Sequence, residues 1–520
     1  MSEIGDNESF LISKEALVEA IRKFRGLKSE YLTLKDRWRF SQKTLENADI
    51  LPDIFGQGGL DNEIRYYSSL VKRARKQKNE KPSQKSDIFC NRLVSISDAN
   101  YAIEKTARIV SFVKSAYFQR TDSIDLPYVI AGLPASPERS WGNELYLVAA
   151  DKLVANYIQY LNFGSRRWDR FVSWSVFRPE LHPKQSRLPG GQYIASRKTF
   201  HLFLSIDVKY NLQGLQILAH EIGHAACQGV TYKFSGEEWE VVRKALGYVF
   251  HIGANLRKML NRCPGTRHNW ETCPIRSMIR PLLDEKVGEE AFYRAMSKLA
   301  VSKSIYEGLI DCVALQLAGP TYVKTMKDYV YEPAVARSYP GARSRRLVWN
   351  KNFFLGLLLR LSICAGYVNR LEGRLPSPLV ERFGLYFERI RTESDLLLKG
   401  LVKNGNIRQE RCTSLMRCLD CTKDVGAYIG STMALNCNDL FGSIFVSMKD
   451  VSFGTDEDIV EALLEGEALT EVEPRRILDA CCELAGRTGK PFWAAGLYSL
   501  AFNECENGSK AERLARHQPL

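Results

Sequence analysis

His220-Glu221-Ile222-Gly223-His224 is an H-E-x-x-H inside a stretch of helical periodicity. Leu215, Leu218, Ile222 and Ala225 recur at helical spacing, with Asn211 as a candidate cap before them and Gly229 as a candidate stop. At 3.6 residues per turn, positions 220 and 224 lie about 40° apart around the axis and about 6 Å along it. Two imidazoles so placed can chelate one metal ion, and the carboxylate between them can reach a water on that ion. With seven His in the chain, chance seldom makes this pattern. A surface helix that carries two His by accident is the competing reading.

A catalytic zinc takes three protein ligands and keeps its fourth position open, so a third donor is needed. The metzincin arrangement would require Gly and His at 227 and 230, where this chain has Cys227 and Val230. Further on, Ser304 to Asp311 continues through Cys312, Val313 and Leu317 to Gly319-Pro320, a second helix with a Gly-Pro stop. Glu307 and Asp311 share one face of it. Leu309, Ile310, Val313 and Leu317 form the main apolar stripe, and Ala314, Leu315 and Ala318 make the carboxylate side apolar as well. A helix apolar nearly all round is normally buried, so its two carboxylates need partners. Glu307 can bind the metal, while Asp311 can accept the free ring N–H of a ligating His and fix its tautomer. The alternative is a solvated acidic patch at the helix start.

These five residues, His220, Glu221, His224, Glu307 and Asp311, resemble the gluzincin branch of zinc metallopeptidases, in which H-E-x-x-H precedes a helix carrying E-x-x-x-D. The resemblance covers roughly residues 136–330 and implies a Zn2+ cofactor, metal ligands at 220, 224 and 307, and Glu221 as the base that activates a water against a peptide carbonyl. There are departures. Tyr306 stands where the thermolysin-like subgroup has Asn, and residues 225–306 form a long insertion. The run from Glu307 to Tyr322 is also similar to a pattern in uncharacterised prokaryotic H-E-x-x-H proteins, a similarity that carries no activity with it.

The flanking sequence reads as a helix over 140–162, a strand over Phe171–Phe177 and a half-exposed strand over Thr199–Val208. The last of these is the candidate sheet edge for adding a substrate strand. The expected fold class is therefore α+β, a zincin-like core with a small mixed sheet embedded in helices. Three regions follow: residues 1–135, helical with a basic linker near 72–85; residues 136–330, the catalytic core with an insertion near 230–300; and residues 331–520, mostly helical. No repeat period is evident.

The chain has 520 residues, of which 45% are hydrophobic, enough for large cores. Its N-terminus has no apolar leader, and the most hydrophobic stretch, Phe353–Val368, is interrupted by Arg360, which gives the expectation of a cytoplasmic protein without a membrane span. Thirteen Cys fit mostly reduced thiols; the groups 263/273 and 412/418/421/437 match no standard zinc-finger spacing. The net charge of +13 raises the question of nucleic acid, but no helix-turn-helix, zinc-finger or RNA-binding signature accompanies it. The expected partner is a peptide or protein substrate. Tyr193, Tyr248, His251 and Arg343 are candidates for stabilising the oxyanion, with nothing in the spacing to choose among them. Two further readings stand beside the peptidase: a metal-stabilised regulatory or interaction module without turnover, and a basic nucleic-acid-associated factor.

Overall fold

Helices carry this chain. The computed structural model describes residues 14–44, 55, 59–77, 85–121, 145–159, 173–177, 190–194, 199–203, 212–231, 255, 258, 300–327, 351–371, 380–385, 387–388, 392, 409–441, 457–484 and 490–504. Long amphipathic runs at the start form α1 (Lys14–Thr44), α2 (Gly59–Gln77) and α3 (Lys85–Thr121), which pack on one another. Leu17, Phe24, Leu27, Tyr31 and Trp38 of α1 are buried there with Leu70 of α2 and Val110 of α3. The basic residues Lys72, Arg73, Arg75 and Lys76 lie on the exposed face of α2.

The next layer holds the motif. Helix α4 (Leu145–Gln159) is followed by strands β1 (Ser173–Phe177), β2 (Gly190–Ile194) and β3 (Thr199–Phe203), then by a 3-10 turn over Leu212–Gln216 that leads directly into α5 (Ile217–Thr231). The helical periodicity around residue 220 is thus realised, although the helix passes Gly229 and ends at Thr231. Helix α6 (Ala300–Ala318) stops where Gly319 takes a φ of 84° and donates its N–H to the Leu315 carbonyl at 3.0 Å, a left-handed cap that suits glycine. Pro320 then starts the short α7 (Thr321–Thr325). Every described side chain of α6 from Leu309 to Ala318 is buried, as its all-round apolar composition requires.

The remaining elements close around α5 and α6. Helix α8 (Lys351–Leu371) packs against α6 on one side and α9 (Gln409–Phe441) on the other. The contact between α8 and α9 is backbone to backbone: a Cβ at Gly366 would collide with Ala427, and one at Gly430 with Ile363 and Tyr367. Helices α10 (Glu457–Glu465), α11 (Pro474–Glu483) and α12 (Lys490–Ala501) cover the opposite side, with α12 against α4 and α11 against the 3-10 turn and α7. A buried polar chain fixes that contact. Thr321 donates its N–H (3.2 Å) and its hydroxyl to Asp479 Oδ1, Gln216 Nε2 donates to Thr321 Oγ1 (2.6 Å), and Thr325 Oγ1 donates to Gln216 Oε1. Lys324 Nζ donates to the Cys482 carbonyl at 3.1 Å.

The expected α+β class with its zincin-like sheet is overturned, because the described residues are almost entirely helical. Strand is confined to three five-residue segments in the order β1-β3-β2, with β1 parallel and β2 antiparallel to β3. The strands lie against α5 and α4, and the core formed by the described residues is built mainly from helix-on-helix contacts. The proposed substrate edge over 199–208 is corrected for residues 199–203, while residues 204–208 lie outside the described residues. Strand β3 is paired on both sides, so its backbone groups already serve β1 and β2. Among the described residues no helix is long and apolar enough to cross a membrane.

Candidate metal centre

Helices α5 and α6 bring all five motif residues to one place. His220 Nε2 lies 3.1 Å from His224 Nε2 and 3.1 Å from Glu307 Oε2, and His224 Nε2 lies 3.6 Å from the same carboxylate oxygen. The two rings stand nearly perpendicular, at 88°, as expected for side chains one turn apart that turn toward a common point. Glycines let the helices approach. A Cβ on Gly223 would meet Ile310 Cγ2 of α6 at 3.0 Å, and a Cβ on Gly308 would meet Ile363 Cδ1 of α8 at 2.8 Å.

The far nitrogen of each ring has a partner. His220 Nδ1 is 2.9 Å from Asp311 Oδ1, and His224 Nδ1 is 3.4 Å from Tyr306 Oη. If each Nδ1–H is donated outward, the neutral tautomers keep their Nε2 lone pairs turned inward, toward each other and toward Glu307. Three acceptor atoms then converge on one volume. Such a cluster is relieved by a proton or by a cation. A proton on His220 Nε2 can serve only one of the three contacts, whereas a divalent ion can serve them all.

The spacing suits zinc. Bonds of roughly 2.0–2.2 Å in a tetrahedral shell put neighbouring donors about 3.3–3.5 Å apart. The observed separations of 3.1, 3.1 and 3.6 Å fit one face of such a tetrahedron, and the ligand atoms of His220, His224 and Glu307 all lie within 4.8 Å of one another.

The electrostatics follow from burial and company. Burial disfavours a charged His220, but its hydrogen bonds to Asp311 and Glu307 and the charges of Asp311 and Glu221 outweigh this and raise it to about 9. Glu307 is also pushed up by burial, yet the contacts with His220 and His224 and the charge of Arg360 hold it well below the usual carboxylate range. Glu221 and His224 are half-buried, while Asp311 is completely buried, so exposure rises from the Asp311 side of the cluster toward Glu221 and His224.

Two residues at this centre were not expected from the sequence. Arg360 of α8 donates from Nε to Asp311 Oδ2 at 2.8 Å and from Nη2 to Asp311 Oδ1 at 2.9 Å, and its Nη2 is 3.7 Å from Glu307 Oε2. Tyr322 of α7 donates its hydroxyl to Asp311 Oδ1 at 2.9 Å. The signal for Arg360 was present: a lone cation within the apolar run Phe353–Val368 must find an anion if that run is buried. Tyr248, His251 and Arg343 lie outside the described residues, and so do Cys263 and Cys273; Cys418 and Cys421 are buried in α9, away from the centre's donor set. The side chain of Tyr193 in β2 is likewise outside the description.

Comparison with protein-family models, curated proteins and solved structures finds no match to this chain.

Proposed function

We propose that this protein is a zinc-dependent hydrolase acting on peptide bonds, with His220, His224 and Glu307 as metal ligands and Glu221 as general base. The observation that supports the reading is the convergence of three possible ligand atoms, His220 Nε2, His224 Nε2 and Glu307 Oε2, spaced close to one face of a zinc tetrahedron, beside a carboxylate that holds the base position of H-E-x-x-H. Zinc bound there would supply Lewis-acid polarisation of the scissile carbonyl and make water acidic enough to lose a proton near neutral pH. The chain's own residues do the rest. Glu221, half-buried beside His220 in the chain, accepts that proton and passes it to the leaving amine. Asp311 holds the His220 ring by Nδ1 so that Nε2 faces the metal position, and Tyr306 does the same for His224.

The reading rests on this donor chemistry and on the gluzincin-like motif, carried here by a helical scaffold. The test is metal content. Purified full-length protein should take up one zinc per chain, and Glu307→Ala should greatly weaken that uptake while the fold persists by circular dichroism. Equal zinc occupancy in wild type and Glu307→Ala would remove Glu307 from the site, and no uptake by wild type would remove the metal centre altogether.

A further inference from the structure

We propose that Arg360 is a positioning residue of the metal centre, the group that holds the Asp311 carboxylate in the one orientation from which it can steer His220. The inference rests on the metal-centre reading above and extends it to a third helix.

Asp311 is completely buried and receives hydrogen bonds on both oxygens. Oδ1 takes His220 Nδ1, the Tyr322 hydroxyl and Arg360 Nη2, all at 2.9 Å, and Oδ2 takes Arg360 Nε at 2.8 Å. A carboxylate held only by His220 and Tyr322 through one oxygen would remain free to turn about its Cβ–Cγ bond. The guanidinium fork removes that freedom, because its two parallel N–H groups fix the plane of the carboxylate as well as its place. His220 Nδ1 then meets an acceptor whose direction is set from outside α5 and α6.

The same guanidinium stands 3.7 Å from Glu307 Oε2. One cation thus faces two carboxylates of the centre: Asp311, which orients a ligand, and Glu307, which is one. Its own placement is rigid, since α8 is held at close range to α6 through Gly308 and Ile363 and to α9 through Gly366 and Gly430. Arg360 is largely buried and its ion-pair partners are the two carboxylates, so its part is to orient and to balance charge.

Zinc affinity of the full chain, measured by competition with a chromophoric chelator, and the visible spectrum of the cobalt(II)-loaded protein test this in four forms: wild type, Arg360→Met, Asp311→Asn and the double variant. Arg360→Met is expected to weaken zinc binding by about 10–100-fold and to shift the cobalt bands, as loss of an outer partner does. It should add little on the Asp311→Asn background, because Arg360 acts through Asp311. Wild-type affinity and spectrum in folded Arg360→Met, or losses that simply add in the double variant, would overturn the proposal. Should Arg360→Met fail to fold, Arg360→Lys decides: it keeps the charge but not the fork, so weaker zinc binding with shifted cobalt bands supports positioning, and wild-type behaviour overturns it. A wild-type protein that binds neither metal would instead sink the metal-centre reading itself.

Discussion

Asp311 and Asp479 are both buried aspartates with an arginine beside them, and their carboxyls move in opposite directions. Burial raises each. At Asp311 the charge and fork of Arg360 and the contact with His220 overcome burial and hold the group below the usual range. At Asp479 burial prevails: Arg382, 3.1 Å away, is shared with Glu483, whose negative charge pushes the same way as burial. The lesson lies in what surrounds each acid. Around Asp479, Thr325, Gln216 and Thr321 pass hydrogen bonds in one direction, donor to acceptor, and the chain ends on the Asp479 carboxyl. Around Asp311 the chain leads outward through His220 to a cluster of three possible ligand atoms, His220 Nε2, His224 Nε2 and Glu307 Oε2. The first network ends on its acid; the second ends in the group of side chains that could hold a metal ion.

The sharpest way to break this comparison is at Glu221. If the second network serves chemistry, Glu221→Gln should keep zinc and lose turnover by about 10²–10⁴-fold on any peptide cleaved by the wild type, since a positioned acid–base group contributes about that much. A variant that cleaves as fast as wild type ends the proposed mechanism. If neither form cleaves anything in a broad peptide library while both bind zinc, the metal-stabilised module without turnover becomes the better account.

A middle-sized effect is expected at Asp311. Asp311→Asn retains the shape but removes the charge that Arg360 and His220 share, and zinc affinity should fall about 10–100-fold, read by chelator competition. An unchanged affinity would show that the His220 ring needs no such guide.

The smallest effect should come from Asp479→Asn. A folded-state pKa raised above the unfolded value means that the acid form favours folding, and that this contribution disappears as pH rises through the folded value. The neutral amide should therefore match wild type in acid and equal or exceed it at pH 8, within about 1 kcal/mol, with zinc affinity untouched; urea melts at the two pH values measure this. A loss of more than about 2 kcal/mol at pH 8, or a loss of zinc, would show that the two networks are not separable in this way.

The parts of this site legible in the sequence were those set by local spacing. H-E-x-x-H needs only one helical turn to bring His220 and His224 together, and Glu307 and Asp311 are one turn apart on a helix whose end is written in Gly319-Pro320. Spacing says nothing of which helix comes third. Arg360 was read as an interruption of an apolar stretch, although a cation there had to be answered by an acid from elsewhere, and the acid was Asp311. The sheet was misjudged for a related reason. Alternation over 199–208 marks a segment that can pair, but whether it lies at the edge or in the middle depends on partners distant in sequence, and β2 and β1 take both of its sides. Nor does alternation measure how much of a chain is sheet, and the described residues are almost entirely helical.

The two unassuming positions in the motifs, Gly223 and Gly308, change how this centre should be sought in other chains. Each sits where a neighbouring helix comes close, so that an added Cβ would meet Ile310 Cγ2 at 3.0 Å at the first and Ile363 Cδ1 at 2.8 Å at the second. The signature is therefore longer than five polar residues: H-E-x-G-H, then E-G-x-x-D, then an arginine in an otherwise apolar helix. A sequence with the polar residues alone, and alanine or larger at both glycines, would have to shift Ile310 and Ile363 to copy this geometry, or move its helices apart. Searches that weight the glycines and the arginine equally with the ligands should separate true copies from accidental H-E-x-x-H strings.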